Sequence, residues 1–177
     1  MEMGVEAVVE EFKKLLRLVE LEYENSEKKV ILSRDIQRIF LPGQSFENLR
    51  KGTILSIVKW AASKLYEEGI VEFEEKIIDM KNLVQLEWKE KNNPRQLQEV
   101  PRFFYLSIRE DPKLDHASRS VIMDIISLRV NKILVLAAKR VDPSLVENLS
   151  REEEILYKVL KNIIEEWIRY IVPSGGG

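Results

Sequence analysis

The feature that most narrows what this chain can fold into is a helical period running almost unbroken through its C-terminal half. From about Ala117 to Arg140, the residues Ile122, Ile125, Ile126, Ile133, Leu136 and Ala137 recur along one face. From Ser150 onward, Leu156, Val159, Leu160, Ile163, Trp167 and Ile171 do the same. Ser150-Arg151-Glu152-Glu153 opens this second segment as a capping box, in which a hydroxyl and a carboxylate satisfy amides left free at a helix start. Between the two, Asp142-Pro143 is predicted to cap a brief turn. Upstream, Asp79 is predicted to cap a helix reaching about Lys91, with Leu83, Leu86 and Trp88, and Asn92-Asn93-Pro94 ends it. Val100-Pro101 opens a short helix with Phe103, Phe104, Leu106 and Ile108, which Asp111-Pro112 interrupts. The second long helix has apolar flanks as well as a stripe, since Ile164 and Ile168 lie beside Ile163 and Trp167. Two such helices in a domain of about 100 residues leave apolar surface that one chain cannot cover, which predicts packing against another chain.

The N-terminal part changes period. Val5 to Leu16 is predicted as an amphipathic helix with Val5, Val8, Val9, Phe12, Leu15 and Leu16 on one side. In Leu18–Tyr23 the apolar Val19, Leu21 and Tyr23 alternate with acids, predicting a half-buried strand. Asn25-Ser26-Glu27-Lys28 is then a turn, and Lys29 to Leu32 the returning strand of a hairpin. Ser33 to Phe40 is predicted as a short helix closed by Pro42-Gly43, and Gln44 to Gly52 as a loop. Ile54 to Glu68 is predicted as one helix ended by Gly69, and Ile70 to Glu75 as a third strand. The expected fold class is α+β and predominantly α-helical. A small N-terminal mixed α/β domain (1–76) precedes a helical bundle domain (77–172) and a flexible tail (173–177).

Composition removes several kinds of function. Lys plus Arg number 28 against 30 Asp plus Glu, a formal net charge of -2, so no concentrated positive face for wrapping nucleic acid is expected. With no cysteine and only His116, neither a thiolate metal site nor a histidine cluster is expected. Glycines are scattered without a phosphate-binding loop, so no cofactor is expected. The acidic start and the lack of a long apolar run predict no secretory leader, no membrane span and a soluble, cytoplasmic protein. His116 sits at a helix start without a nucleophile beside it, and Glu152-Glu153-Glu154 lies where acids favour a helix N-terminus. Nothing here predicts an enzyme.

Arg129 stands out. Four residues from both Ile125 and Ile133, its guanidinium falls in the middle of an apolar stripe. Burying that charge alone costs several kcal/mol, so it must meet a carboxylate, either in its own chain or across a subunit interface. Lys132 lies near the edge of the same face and is expected to be solvated. The candidate interface set is Arg129, Ile125, Ile133, Lys132, Phe103 and Trp167.

From about Gly52 to Ile171 the chain resembles a subunit of the GINS complex, the replication factor that joins the MCM helicase ring. The likeness is carried, in order, by Val58-Lys59-Trp60-Ala61-Ala62-Ser63-Lys64-Leu65, then Trp88-Lys89-Glu90-Lys91, then Val100-Pro101-Arg102-Phe103-Phe104-Tyr105. Asp115-His116-Ala117, the stretch Asp124 to Lys132, and Leu149 to Tyr157 continue it. A small β-containing domain placed before the helical one is the order of the archaeal subunit related to the eukaryotic Psf-two and Psf-three. The resemblance implies a non-catalytic scaffold in a heterotetramer, two copies of this chain with two of a paralogue. It further implies contacts with the MCM helicase and with a RecJ-like or Cdc-type protein, mainly indirect contact with DNA, and a place at the nucleoid.

The alternative is a winged-helix DNA-binding regulator. In it Ser33–Phe40 and Ile54–Glu68 are the two helices and the strand after Gly69 is the wing. Against it, residues 1–75 hold 11 basic and 15 acidic groups. A self-associating helical regulator is a third reading, differing from a GINS subunit only in its partner.

Overall fold

In the computed structural model, which describes residues 2–74, 79–110, 114–142 and 146–172, the first helix does not stop at Leu16. It runs on as α1 (Glu2–Glu24) through the stretch predicted as a strand. Val19 and Tyr23 are buried, but Leu21 between them is 59% exposed. The buried pair is spaced four apart, so the apolar–acidic alternation is one face of a helix. Contacts divide the chain into two units, Glu20–Ile77 and the remainder, Met1–Val19 with Ile78–Gly177.

The smaller unit contains more strand than predicted. β1 (Glu27–Leu32) lies between β4 (Ile54–Val58) and β5 (Val71–Phe73), antiparallel to both. Val30 sits opposite Leu55 on one side and Phe73 on the other. A hairpin partner in Leu18–Tyr23 is therefore replaced by strands from later in the chain. β2 (Ile36–Leu41) and β3 (Gln44–Leu49) form a separate two-stranded sheet, with Ile39 opposite Phe46. The predicted helix Ser33–Phe40 and loop Gln44–Gly52 are thus the two arms of a hairpin. Pro42-Gly43 is its two-residue turn, with Gly43 at φ 79, a conformation glycine adopts without a Cβ clash.

The predicted helix Ile54–Glu68 splits. Leu55 and Ile57 are buried while Ile54 and Ser56 are exposed, a period of two, and this first part is β4. β-Branched Ile54, Ile57 and Val58 favour the pleated surface, and α2 (Lys59–Glu67) starts only after them. Gly69, at φ 67, follows its C-cap and turns the chain into β5. Val30, Leu32, Ile39, Leu55, Ile57, Ala62 and Val71 form the core of this unit. The winged-helix reading loses its first helix outright and the front of its second.

In the larger unit the helical period is a reliable guide. α3 (Met80–Asn92) is capped by Asp79, whose carboxylate accepts from the Lys81 amide. α4 (Phe104–Arg109) is the short proline-aromatic helix, with Phe103 at its N-cap. α5 (His116–Ala138) starts where the Asp115 carboxylate accepts from the Ser118 amide at 2.8 Å. α6 (Arg151–Ile171) opens with the predicted capping box. Two apolar clusters form the core of this unit, one around Phe104, Ile122 and Ile125 and one around Leu97, Ile133, Ala137 and Tyr157. The architecture is α+β and predominantly helical. The interruption at Asp111-Pro112, Pro143 and the tail 173–177 lie outside the described residues.

Candidate subunit interface

The four-residue steps Ile125–Arg129–Ile133 bring all three side chains onto the inner face of α5, where each is 0% exposed. Arg129 finds its counter-charges within the chain. Its Nε donates to Glu153 Oε1 and its Nη2 to Glu153 Oε2, both at 2.7 Å. Nη1 donates to Glu90 Oε1 and, at 2.8 Å, to the Gln98 carbonyl. Nη2 also donates to the Asn148 carbonyl at 2.7 Å. A guanidinium has five N–H donors, and all five are thereby engaged.

Lys132 is buried rather than solvated, because the same carboxylate that serves Arg129 draws it inward. Its ammonium donates to Glu90 Oε2, to the Glu90 carbonyl at 2.9 Å and to the Gln96 carbonyl at 2.8 Å. An ammonium has three donors, and these account for them. Two cations thus meet two carboxylates with every cationic proton placed, the condition under which buried charge is tolerable.

The carboxylates are equally occupied. Glu153 accepts from the Tyr105 hydroxyl at 2.5 Å and from the Ser150 amide at 2.9 Å. Glu90 accepts from the Gln98 amide at 3.0 Å. Burial, and then the Glu153 charge beside it, push the Tyr105 hydroxyl far above the ordinary phenol range. For Arg129 burial works against the charge, but hydrogen bonds and attraction from Glu153 outweigh it and hold the guanidinium above its ordinary value. The network holds α3, α5 and α6 together and fixes the irregular segments 93–103 and 146–150, whose Leu97 carbonyl accepts from Asn148 Nδ2 at 2.9 Å. Among the described residues no group of His, Asp and Glu is arranged to hold a metal ion.

The outer surface of the unit has a different character. The exposed positions of α5 from Met123 to Ala138 are Met123, Asp124, Ser127, Asn131, Leu134, Val135 and Ala138, with Asp124 the one charge. On α6 the exposed apolar side chains Ile163, Trp167, Tyr170 and Ile171 recur at helical spacing, and Trp167 is 63% exposed. Charge depletion with exposed aromatics is how the centre of a protein–protein interface differs from ordinary surface.

The GINS complex protein helical bundle domain, Sld5, matches residues 77–172. The chain belongs to the GINS complex protein family. It is a subunit type of the DNA replication machinery, as the resemblance implied. No curated protein matches the chain. The buried network and both exposed stripes lie inside the part matched to the GINS bundle.

Of the six candidate interface residues, Arg129, Ile125 and Ile133 are wholly covered by their own chain, and Lys132 and Phe103 are nearly so. Trp167 alone of the six is presented outward. Sequence reasoning missed Glu90, which stands between Lys89 and Lys91 and gives no signal of burial. It also set Glu153 aside as a helix-start acid; the capping box was the clue that its carboxylate has a fixed direction. Met123, Leu134, Val135 and Tyr170 were missed because a helix apolar on several sides does not say which side is outermost.

Proposed function

We propose that this GINS subunit is a non-catalytic scaffold that pairs with a paralogous subunit, two copies of each, through the outward faces of α5 and α6. The supporting observations are the exposure of Trp167, Ile163 and Tyr170 on α6 and an exposed α5 surface from Met123 to Ala138 that is almost free of charge. Those are hot-spot residue types, and water is a poor neighbour for them. In this reading the bundle (77–172) makes the tetramer and the N-terminal domain (1–76) is an accessory module. The order of the two parts fits the archaeal Psf-two and Psf-three type. The assembly links the MCM helicase to a RecJ-like or Cdc-type protein at the nucleoid of the cytoplasm, touching DNA mainly through those partners. No described helix is long and apolar enough to cross a membrane, which suits this setting.

The test is co-expression with a paralogous GINS subunit, followed by mass measurement of the purified complex and capture with MCM as bait. A complex with two copies of each chain that retains MCM is expected. A chain that ignores the paralogue, or a complex that Trp167→Glu and Ile163→Glu leave intact, overturns the interface.

A further inference from the structure

The assembly reading does not use α1, and α1 carries its own uncovered face. Val5, Val8, Val9 and Leu15 are exposed, at 67%, 49%, 44% and 37%, and Phe12 and Leu16 are only part-buried. These six occupy one side of three consecutive turns. Val19, the next residue on that side, is already buried by its own chain, so the open face ends at Leu16.

Charge decides what can cover it. Glu2, Glu6, Glu10, Glu11, Glu20, Glu22 and Glu24 outnumber Lys13, Lys14 and Arg17, whereas helices that lie on anionic bilayers are rich in Lys and Arg. The face is, however, complementary to itself. Set antiparallel about a two-fold axis between residues 10 and 11, Val5 lies opposite Leu16 of a second copy, Val9 opposite Phe12, and Val8 beside Leu15. Glu6 and Lys13 flank the same edge of the stripe, and this register brings Glu6 of each copy beside Lys13 of the other. In an antiparallel pair like edges face each other, so the attraction is made twice. Lys13 now pairs with Glu10 of its own helix at 2.7 Å in an exposed position, an interaction weak enough to be shared.

We propose that residues 5–16 of α1 form an antiparallel homotypic contact with a second copy of this chain. It is distinct from the α5 and α6 surface and independent of any paralogue. A face about 18 Å long and about 10 Å wide covers roughly 200 Å², far short of the ~800 Å² per partner of a stable dimer. The isolated chain is therefore a weak, concentration-dependent dimer, and the contact matters most where another interface already holds two copies close.

The experiment is sedimentation of the full chain over a micromolar to millimolar series, with circular dichroism to confirm folding. Wild type should dimerise. Glu6→Lys alone and Lys13→Glu alone should each weaken dimerisation about tenfold, because each places like charges opposite in both symmetry-related pairs. Mixing fluorescently labelled E6K with K13E should restore association to the wild-type level, as should the double variant E6K/K13E by itself. Restoration in the mixture is particular to this register, since parallel helices do not bring positions 6 and 13 together. A chain that stays monomeric throughout, or a dimer indifferent to both charge reversals, overturns the proposal. A dimer lost on Trp167→Glu but not on Val9→Asp does so as well, by moving self-association to α6.

Discussion

Glu153 grips Arg129 with both carboxylate oxygens, and the same two oxygens also receive the Tyr105 hydroxyl and the Ser150 amide. One side chain thereby serves as counter-ion, helix cap and link to α4. Removing any one of its partners exposes how much rests on it.

Arg129→Ala should be among the most destabilising single changes in the larger unit. It strands the Glu153 carboxylate and leaves Glu90 with Lys132 alone, a cost of roughly 3–5 kcal/mol. Denaturant unfolding should show this as a lower midpoint at unchanged slope. Adding Glu153→Gln to Arg129→Met removes the stranded charge and should recover part of the loss. A double variant as weak as the sum of the singles would show that the two residues are not coupled. Assembly with a paralogue should weaken in Arg129→Ala in proportion to stability.

Tyr105 gives a pH signature. Its folded phenol is held above the unfolded value by burial and by Glu153, so its contribution is whole below about pH 10 and is lost as pH climbs towards the folded value. Tyr105→Phe should start about 1.5–3 kcal/mol less stable at neutral pH, having lost a hydrogen bond to a carboxylate. It should then lose less stability than wild type above about pH 10. Parallel alkaline profiles for the two proteins would rule this account out.

Ser150→Ala removes the hydroxyl that accepts from the Glu153 amide at 3.3 Å. Loss of an N-cap costs about 1 kcal/mol. Because Ser150 is wholly buried, water cannot replace it, and the effect should sit at the upper end of that range. Thermal melts of the variant beside Ser150→Thr, which keeps a hydroxyl, separate the cap from the packing.

Trp167→Glu should behave in the opposite way. The side chain is mostly exposed, so the lone subunit should keep its stability to within about 0.5 kcal/mol. Complex formation with a paralogue should nevertheless fail. Unfolding curves and size-exclusion profiles of the same preparation check both halves.

How far the chain could be read in advance depended on the length of the signal. The helices from Asp79 onward were legible because apolar residues recur over several turns and Asp79 and Ser150 mark two of their starts. The small unit was not, because six-residue strands carry few repeats and their partners are distant. Ser33–Phe40 has helix-compatible spacing until its pairing with Gln44–Leu49 is known. At Leu18–Tyr23 alternating acids imitated a strand, and only burial distinguishes Val19 and Tyr23 from Leu21. For the candidate site, Arg129 was conspicuous because a cation among isoleucines demands a partner. Which carboxylate answers it is a question of tertiary contact, and Glu90 lies 39 positions away in the chain.

That division of charge among α3, α5 and α6 bears on how the bundle forms. Glu90 comes from the first, Arg129 and Lys132 from the second, and Glu153 from the third. Any two of these helices brought together alone are left with an unbalanced charge in a dry seam, positive if α5 is present and negative if it is not. Only the trio is electroneutral, so half-assembled states are penalised and the three helices come together, or part, in one cooperative step.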